Sequence, residues 1–317
     1  MTRPVARIAD IAYGRLRSPD LDVMEEFLTE FGMVRAARTN NALYMRGTDP
    51  SHHLHVTEKG EPGFASVAYL MESEDDLKAL AALPDAGEIE EIDEPGGGRR
   101  VWLREPNNGF MIEAVHGLAA PAPLPVTPRP LNWSPEILRN VGDPERLQFG
   151  PSRVKRLSHA VFFSPRVKET LAWLRATFNF VITDEMYEGE LSNVVLSFNR
   201  LDHGDRPVDH HVINVTDSTI SGLQHLSYEV QDVDDLFVGH NHLRRSGRYG
   251  HMMGVGYHPP GGQIYDYWLS PWGQMHEHWI GTRKFTSASL PNLIPAPKEA
   301  IDPDWAFNKQ IMPHVPA

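Results

Sequence analysis

The segment "LQHLSYEVQDVDDLFVG" (residues 223–239) decides the fold, because it has a counterpart earlier in the chain, "FASVAYLMESEDDLKAL" (64–80). Each stretch reads as an apolar strand, an acidic turn that ends in Asp-Asp-Leu, and the start of a helix. Two copies of one strand–turn–helix pattern within 317 residues indicate an internal duplication.

Other segments repeat in the same order along the chain. The spacing between matched positions grows slowly, from 146 (159−13) through 159 (225−66) to 164 (277−113), as loop insertions would cause. The repeat therefore predicts an α+β fold of two homologous domains, each made of two βαβββ modules that form a curved mixed sheet around a pocket. The matched pairs are "RSPDLDVMEEFLTEFGMV" (17–34) with "FSPRVKETLAWLRATFNFV" (163–181), "HHLHVT" (52–57) with "HHVINVT" (210–216), and "GFMIEAVHG" (109–117) with "GQMHEHWIG" (273–281).

Proline-containing stretches mark the predicted boundaries. We expect an N-terminal domain over 1–120, a Pro-rich linker over 121–150, a C-terminal domain over 151–283, and a tail over 284–317. The linker contains "AAPAPLPVTPRP", which cannot form a helix or a central strand because proline lacks a backbone N–H.

Composition excludes several classes of function. The chain has no cysteine, so a metal would be held by His, Asp or Glu, and a catalytic thiol is excluded. A net charge of −12 argues against nucleic acid as a partner. No apolar run is long enough to span a membrane, and the N-terminus does not resemble a secretion signal, so we expect a cytoplasmic protein.

The duplication provides an internal control for metal binding. Three matched positions hold His159, His225 and Glu277 in the C-terminal half, where the N-terminal half has Tyr13, Ser66 and Glu113. Only the C-terminal set can bind a metal by itself. Two imidazoles and one carboxylate on separate strands form a facial triad that leaves positions open for other ligands, as iron(II) oxygenases require. We therefore predict the metal ligands His159, His225 and Glu277.

Strand parity separates ligands from neighbouring histidines. In "MHEHWI" (275–280), Glu277 shares a face with Met275 and Trp279, whereas His276 and His278 share the opposite face. The same argument predicts that only one of His210 and His211 enters the pocket.

The motifs "LSHAVFF" (157–163), "LQHLSYEV" (223–230) and "WLSPWGQMHEHW" (268–279) resemble the type I extradiol ring-cleaving dioxygenases of the vicinal oxygen chelate superfamily, such as catechol 2,3-dioxygenases and dihydroxybiphenyl dioxygenases. The resemblance covers about residues 5–283. Three more positions match in order: His211 in "DHHVINV", His258 in "GVGYHPPGG", and Tyr267, which lies nine residues after His258 and ten before Glu277. Relatives often have Arg before the second pocket histidine, where this chain has Tyr257.

The resemblance implies the activity and its participants. It implies extradiol cleavage of a catecholic aromatic by O2 in aromatic catabolism, with Fe(II) as the cofactor and Mn(II) as the alternative. It assigns His211 as the acid/base and places His258 and Tyr267 in the pocket as further catalytic residues. It also implies a homo-oligomer. The ring substituents and the site of ring opening stay open.

Two other readings compete with this function. The first keeps the fold and the metal but changes the reaction, to that of a glyoxalase-like isomerase, an epimerase or a hydroxyphenylpyruvate-type dioxygenase. The second is a non-catalytic protein that binds an aromatic compound and needs no metal. The first leaves the combination of His211, His258 and Tyr267 unexplained, and proteins of the second kind usually lack a complete triad. In the N-terminal half, we interpret Glu113 as a relic without partners, and His52, His53 and His55 as strand or surface residues.

Overall fold

The structure is a computed structural model that describes residues 3–126, 149–296 and 315–316. Most of the linker predicted over 121–150 lies outside the described residues, at 127–148. The tail predicted over 284–317 lies outside them at 297–314 and 317. The domain boundaries given above stay predictions.

The N-terminal half forms one mixed sheet with the strand order β2-β3-β4-β1-β5-β8-β7-β6. The two central strands are antiparallel to each other, and each has the last strand of its own module beside it in parallel. This arrangement is two βαβββ modules joined at their first strands. The strands are β1 (Ile8–Ser18), β2 (Val34–Arg38), β3 (Ala42–Arg46), β4 (His55–Lys59), β5 (Gly63–Met71), β6 (Glu90–Glu91), β7 (Arg99–Arg104) and β8 (Met111–His116).

The C-terminal half repeats the same strand order in a second sheet, β10-β11-β13-β9-β14-β17-β16-β15, with β19 added at the edge beside β10. A separate short pair joins β12 to β18, and β20 pairs with β14. The strands are β9 (Val154–Ser164), β10 (Phe180–Tyr187), β11 (Val194–Leu201), β12 (Val208–Asp209), β13 (Ile213–Asp217), β14 (Gly222–Val230), β15 (Gly250–His258), β16 (Gln263–Leu269), β17 (Met275–Ile280), β18 (Lys284–Phe285), β19 (Asn292–Pro295) and β20 (Val315–Pro316). The predicted fold class is confirmed.

One helix follows the first strand of each module. The helices are α1 (Leu21–Phe31), α2 (Glu74–Ala81), α3 (Val167–Thr177) and α4 (Val233–Ser246). Capping explains where three of them begin: the side chains of Asp20, Ser73 and Asp232 accept hydrogen bonds from backbone N–H groups of the first turn. The acidic turns before α2 and α4 are thus helix N-termini, where negative charge is favourable.

The main hydrophobic core joins the two halves. Phe64 and Phe110 of the N-terminal half pack on Phe162 of the C-terminal half, with ring centroids 5.5 and 4.8 Å apart. Strand side chains alternate, so the residues between these core positions point to the other face of each sheet. That second face carries a pocket in the C-terminal half and a buried polar cluster in the N-terminal half.

Within the described part of the chain, no helix combines the length and the apolar character needed to span a membrane.

Candidate metal centre and substrate pocket

The three predicted metal ligands come together on neighbouring strands. His159 lies on β9, His225 on β14 and Glu277 on β17, and β14 is hydrogen-bonded to both of the others. The Nε2 atoms of His159 and His225 lie 3.2 and 3.3 Å from one and the same atom, Oε2 of Glu277. All three side chains are buried.

This spacing suits a metal ion. Nitrogen and oxygen ligands lie about 2.1 Å from a first-row divalent metal, so two ligands at right angles are about 3 Å apart. The facing ligand atoms of the triad all lie within 4.8 Å of one another. Two imidazoles and a carboxylate on one side of a point suit Fe(II) or Mn(II) with open positions better than a closed structural zinc site.

Neighbouring side chains orient the two histidines. The Nδ1 atom of His225 is hydrogen-bonded to Oε1 of Gln224, and Nδ1 of His159 lies 3.1 Å from Oγ of Ser158. A ring whose Nδ1 donates its proton presents an unprotonated Nε2, which is the form that binds a metal. The partners of these rings therefore support Nε2 coordination.

The protonation states also fit metal binding. Burial lowers the pKa of His159, which favours the neutral imidazole. Burial alone would raise the pKa of Glu277, but the contacts with His159 and His225 outweigh it and hold the pKa well below its usual range. Neutral imidazoles beside a charged carboxylate are the forms that metal ligands need.

Tyr267 and His258 lie together beside the triad. Strand pairing sets Tyr267 opposite Glu277, and its hydroxyl lies 3.0 Å from Nε2 of His258. Burial, and then the negative charge of Glu277, raise the pKa of Tyr267 well above its usual value, so this phenol keeps its proton. His258 stacks on Tyr265 with ring centroids 3.9 Å apart. The aromatic pair therefore holds the imidazole at the edge of the pocket.

His211 forms the wall of the pocket beside His159. Their ring centroids are 4.1 Å apart. Burial, and then the proximity of His159, lower the pKa of His211 well below its usual value, so the ring is neutral and can accept a proton. His210 does not line the pocket, as parity predicts, but its Nδ1 lies 3.0 Å from Nδ1 of His211.

The rest of the pocket wall is apolar. Apart from the triad, His211, His258 and Tyr267, the lining offers two amides, from Asn214 and Gln263. Among the residues that the structure describes, no Arg or Lys lines this pocket. The apolar lining consists of Val161, Met186, Leu196, Phe198 and Pro260.

The other histidines of β17 point away from the pocket, as parity predicts. Nε2 of His278 lies 2.6 Å from the carbonyl oxygen of Phe31, and the ring stacks on Phe31. His276 lies among aromatic rings of the shared core and near His55. These two imidazoles are therefore packing residues between the halves.

The N-terminal counterpart of the triad is a closed polar cluster. The hydroxyl of Tyr13 donates to Oε2 of Glu113 at 2.7 Å, and Ser66 donates to Oε1. Arg15 approaches the same carboxylate at 2.9 Å and Arg100 at 3.2 Å. The interpretation of Glu113 as a relic without partners was wrong, because two guanidinium groups supply the positive charge here.

One of the N-terminal histidines corrects a second interpretation. His55 is a strand residue of β4, as expected, whereas His53 is only 5% exposed and lies outside the strands. Nδ1 of His55 lies 2.8 Å from the hydroxyl of Tyr228 in the C-terminal half. This contact crosses the interface between the halves, which no pattern within one half can indicate.

A second cluster of metal-binding residue types lies on the opposite face of β16. Asp266 contacts Nδ1 of His240 at 3.2 Å, Nε2 of His251 at 2.7 Å and Nε1 of Trp268 at 2.6 Å. Both carboxylate oxygens are therefore engaged by ring nitrogens, and the cluster is explained as a satisfied buried acid.

Sequence reasoning missed several pocket residues. Met186 lies on β10, and Leu196 and Phe198 lie on β11, and the register of β10 with β11 and of β11 with β13 is set only in the folded sheet. Asp184, which contacts His210, was missed for the same reason. A signal was present for Phe198 and Leu196, which alternate along one strand, but nothing in the sequence indicates that their face reaches the triad.

Comparison with known proteins supports the resemblance inferred from the motifs. No family model matches the chain. Metapyrocatechase 2 of Cupriavidus necator is 28% identical over 280 residues, which cover 87% of this chain and 82% of that protein. The resemblance to extradiol dioxygenases is thereby confirmed.

Solved structures share the fold at lower sequence identity. A Mn(II)-bound glyoxalase from Novosphingobium aromaticivorans has a TM-score of 0.77 at 19% identity, covering 98% of this chain and 95% of the other. Homoprotocatechuate 2,3-dioxygenase of Brevibacterium fuscum, in complex with 3,4-dihydroxyphenylacetate, has a TM-score of 0.74 at 18% identity, covering 100% of this chain and 92% of the other. The two-domain architecture of these proteins is that of this chain.

Proposed function

We propose that this protein is an extradiol ring-cleaving dioxygenase that opens catechols bearing a neutral, apolar substituent. The observation that carries the proposal is the convergence of two imidazoles and one carboxylate on one point, beside a buried neutral histidine and a protonated tyrosine. The similarity to a metapyrocatechase supports the same reaction class.

His159, His225 and Glu277 are the proposed ligands, and Fe(II) is the proposed metal, with Mn(II) as the alternative that suits the same donors. When bound, such a metal favours the deprotonated catechol and allows electrons to pass between the catechol and oxygen. Side chains around the triad have the other proposed roles, which are proton transfer and hydrogen bonding to the substrate.

His211 is the proposed base for a catechol hydroxyl. Its neutral ring lines the pocket beside His159, where a ring chelated at the triad would lie. A neutral imidazole beside the substrate can take a proton from a catechol hydroxyl and return it later in the reaction. Removal of that proton strengthens substrate binding, since the anion pairs with the cation.

Tyr267 and His258 are the proposed hydrogen-bond donors for substrate oxygens. Tyr267 keeps its proton, so its hydroxyl can donate to a negatively charged oxygen that Glu277 alone would repel. His258 lies 3.0 Å from that hydroxyl and can hold its orientation. The two side chains therefore favour an anionic substrate oxygen at the edge of the triad.

The apolar wall determines the proposed substituent. A carboxylate on the substrate would be buried without a cation, because no Arg or Lys lines the pocket among the described residues. Burying an unpaired charge is strongly unfavourable. Methyl, alkyl or phenyl groups instead meet Val161, Met186, Leu196 and Phe198. Oligomeric state and cytoplasmic location stay predictions from the sequence.

A catechol panel tests this function. The iron-loaded protein, prepared without oxygen, is mixed with oxygen and with 3-methyl-, 4-methyl-, 3-phenyl- and 4-carboxymethylcatechol. Oxygen uptake and visible absorbance of the ring-opened product give kcat/KM for each. We expect turnover of the neutral rings and weak turnover of the carboxymethyl ring. Stoichiometric iron without oxygen uptake on any ring would contradict the reaction class, and a preference for the carboxymethyl ring would contradict the substrate class.

A further inference from the structure

We propose that Asp184 and His210 are positioning residues that hold His211 in the tautomer with its proton on Nδ1. This proposal rests on the proposed function, because it explains how His211 is prepared to act as the base. Neither Asp184 nor His210 lines the pocket or belongs to the triad.

The three residues form a buried chain of hydrogen bonds. Oδ2 of Asp184 lies 2.9 Å from Nε2 of His210, and Nδ1 of His210 lies 3.0 Å from Nδ1 of His211. Their exposed fractions are 5%, 0% and 3%. Asp184 lies on β10, at the far side of the histidine pair from the triad. The chain thus runs from a carboxylate, through one imidazole, to the pocket.

The donors and acceptors along this chain follow from elementary chemistry. A carboxylate only accepts, so the proton in the first hydrogen bond belongs to Nε2 of His210. A neutral imidazole carries one proton, so Nδ1 of His210 is an acceptor. Nδ1 of His211 must then be the donor. In neutral His211 the other nitrogen, Nε2, is left with its lone pair and can take a proton.

Aromatic rings hold His210 in place. Phe198 and Phe285 flank its ring, with centroids 5.2 and 5.5 Å away. A second proton on His210 would make it the donor to His211 and so reverse the tautomer of His211, which makes that tautomer the quantity to measure.

The same chain stabilises His211 after it has taken a proton. The resulting imidazolium still donates from Nδ1 to His210, and Asp184 supplies negative charge at the far end. An acid that orients one histidine through a hydrogen bond is known to control the tautomer of a catalytic base. Here a second imidazole transmits that control.

A direct measurement of the tautomer tests the proposal without turnover. Protein labelled with nitrogen-15 in histidine is prepared metal-free at neutral pH, and the ring nitrogens are observed by NMR. The His211→Asn variant identifies the signals of His211 by their loss. We expect a protonated Nδ1 and an unprotonated Nε2. A proton on Nε2 of His211 in the wild-type protein would overturn the proposal.

A pair of matched variants tests the role of Asp184. Asp184→Asn removes the charge at the end of the chain while keeping the shape of the side chain. Glu185→Gln is the control, because it removes a buried carboxylate from the next position of β10 that contacts Arg175 and Ser197 instead. We expect D184N to lower kcat by about a hundredfold and E185Q to leave it near the wild-type value.

Iron binding separates positioning from general damage. D184N should bind one iron per chain as the wild-type protein does, whereas its NMR signals of His211 should show loss of the pure Nδ1–H form. An unchanged kcat and an unchanged tautomer in folded D184N would overturn the role of Asp184. If the tautomer is as expected but the wild-type protein cleaves no catechol, the proposed function fails and the positioning of His211 stands.

Discussion

The hydroxyl of Tyr13 donates a hydrogen bond to Glu113 at 2.7 Å, at the two positions that correspond to His159 and Glu277 in the other half. Nε2 of His159 lies 3.2 Å from Glu277 at the equivalent place. The duplicated fold therefore brings the same strands to the same arrangement in both halves. In the N-terminal half, hydrogen-bond donors and Arg15 satisfy the acid, whereas the C-terminal half presents acceptor atoms to a metal.

Replacement of the ligand carboxylate tests the metal site. We expect Glu277→Gln to weaken Fe(II) binding by more than about a hundredfold, since the neutral amide is a poor ligand and cannot balance the charge of the cation. Iron content after gel filtration and isothermal titration measure the effect. Glu113→Gln is the control at the repeated position and should keep one iron per chain. Equal iron binding by the two variants would contradict the assignment.

The same control variant should be less stable. Glu113 is fully buried and accepts from Tyr13, Ser66 and two arginines. Glu113→Gln removes one of three carboxylates that contact the buried Arg15, while Glu58 and Glu94 remain, so the free energy of unfolding should fall by roughly 1.5–3 kcal/mol. Urea unfolding followed by circular dichroism measures it. A loss below 1 kcal/mol, on the scale of an exposed ion pair, would show that the cluster is not a structural replacement for a metal.

Tyr267→Phe tests the proposed hydrogen-bond donor. We expect kcat to fall by roughly a hundredfold, while iron content stays unchanged. Steady-state oxygen uptake gives kcat, and Tyr69→Phe serves as the control because Tyr69 is equally buried and its hydroxyl has no hydrogen-bond partner in the structure. The missing partner of Tyr69 is a finding for the described residues, 3–126, 149–296 and 315–316. If both variants lose activity to the same extent, the effect belongs to packing rather than to the hydroxyl.

A single charge in the pocket wall should change the substrate preference. Met186→Arg adds a cation to the apolar lining. We expect the ratio of kcat/KM for 4-carboxymethylcatechol to that for 4-methylcatechol to rise by at least about tenfold, because a charge-assisted hydrogen bond contributes roughly 1.5–3 kcal/mol. Met111→Arg is the control, since Met111 is half-buried like Met186 but lies on β8 of the other half, outside this pocket. An unchanged ratio in a folded M186R variant would mean that the substituent of the catechol ring does not lie beside Met186.

Acid should destabilise the N-terminal half through His53. Burial, and then the charge of His52, lower the pKa of His53 to about 3. In the unfolded chain the pKa of His53 is near 6.5. Between pH 6.5 and pH 3 the unfolded state therefore binds a proton at this residue and the folded state does not. The contribution of neutral His53 to the free energy of unfolding is therefore fully present above pH 6.5. It falls by about 1.4 kcal/mol for each pH unit below that value.

The matched measurement compares wild-type protein with His53→Gln. Urea unfolding from pH 7 to pH 5 gives the change in the free energy of unfolding with pH for each protein. Metal-free protein is used so that the pH dependence of iron binding does not contribute. We expect a shallower slope for H53Q. Parallel curves would mean that His53 carries a proton in the folded state.

The sequence indicated the fold and the metal site because both leave local patterns. Matched motifs in the two halves aligned His159 with Tyr13, and alternation along β17 separated Glu277 from His276 and His278. Both patterns compare only residues that are neighbours in the sequence or that occupy equivalent positions in the repeat. The resemblance to known dioxygenases added the residues His211, His258 and Tyr267.

Interactions between distant strands could not be inferred in this way. Arg15 shares a strand face with Tyr13, yet its pairing with Glu113 depends on how β1, β5 and β8 align within one sheet. The two residues are 98 positions apart in the sequence. His55 meets Tyr228 across the two halves, and Asp184 meets His210 across the edge of a sheet. Such contacts carry no periodic signal, because they are fixed only when the whole core has formed.

The fate of oxygen in a single turnover tests the central claim most directly. The iron-loaded protein with 3-methylcatechol is mixed with oxygen gas enriched in the heavy isotope, quenched with borohydride to trap the carbonyl before it exchanges with water, and analysed by mass spectrometry. We predict a ring-opened product that carries both heavy atoms, formed by the wild-type protein and by E113Q but not by E277Q. A product without heavy oxygen, or equal label in E113Q and E277Q, would contradict it.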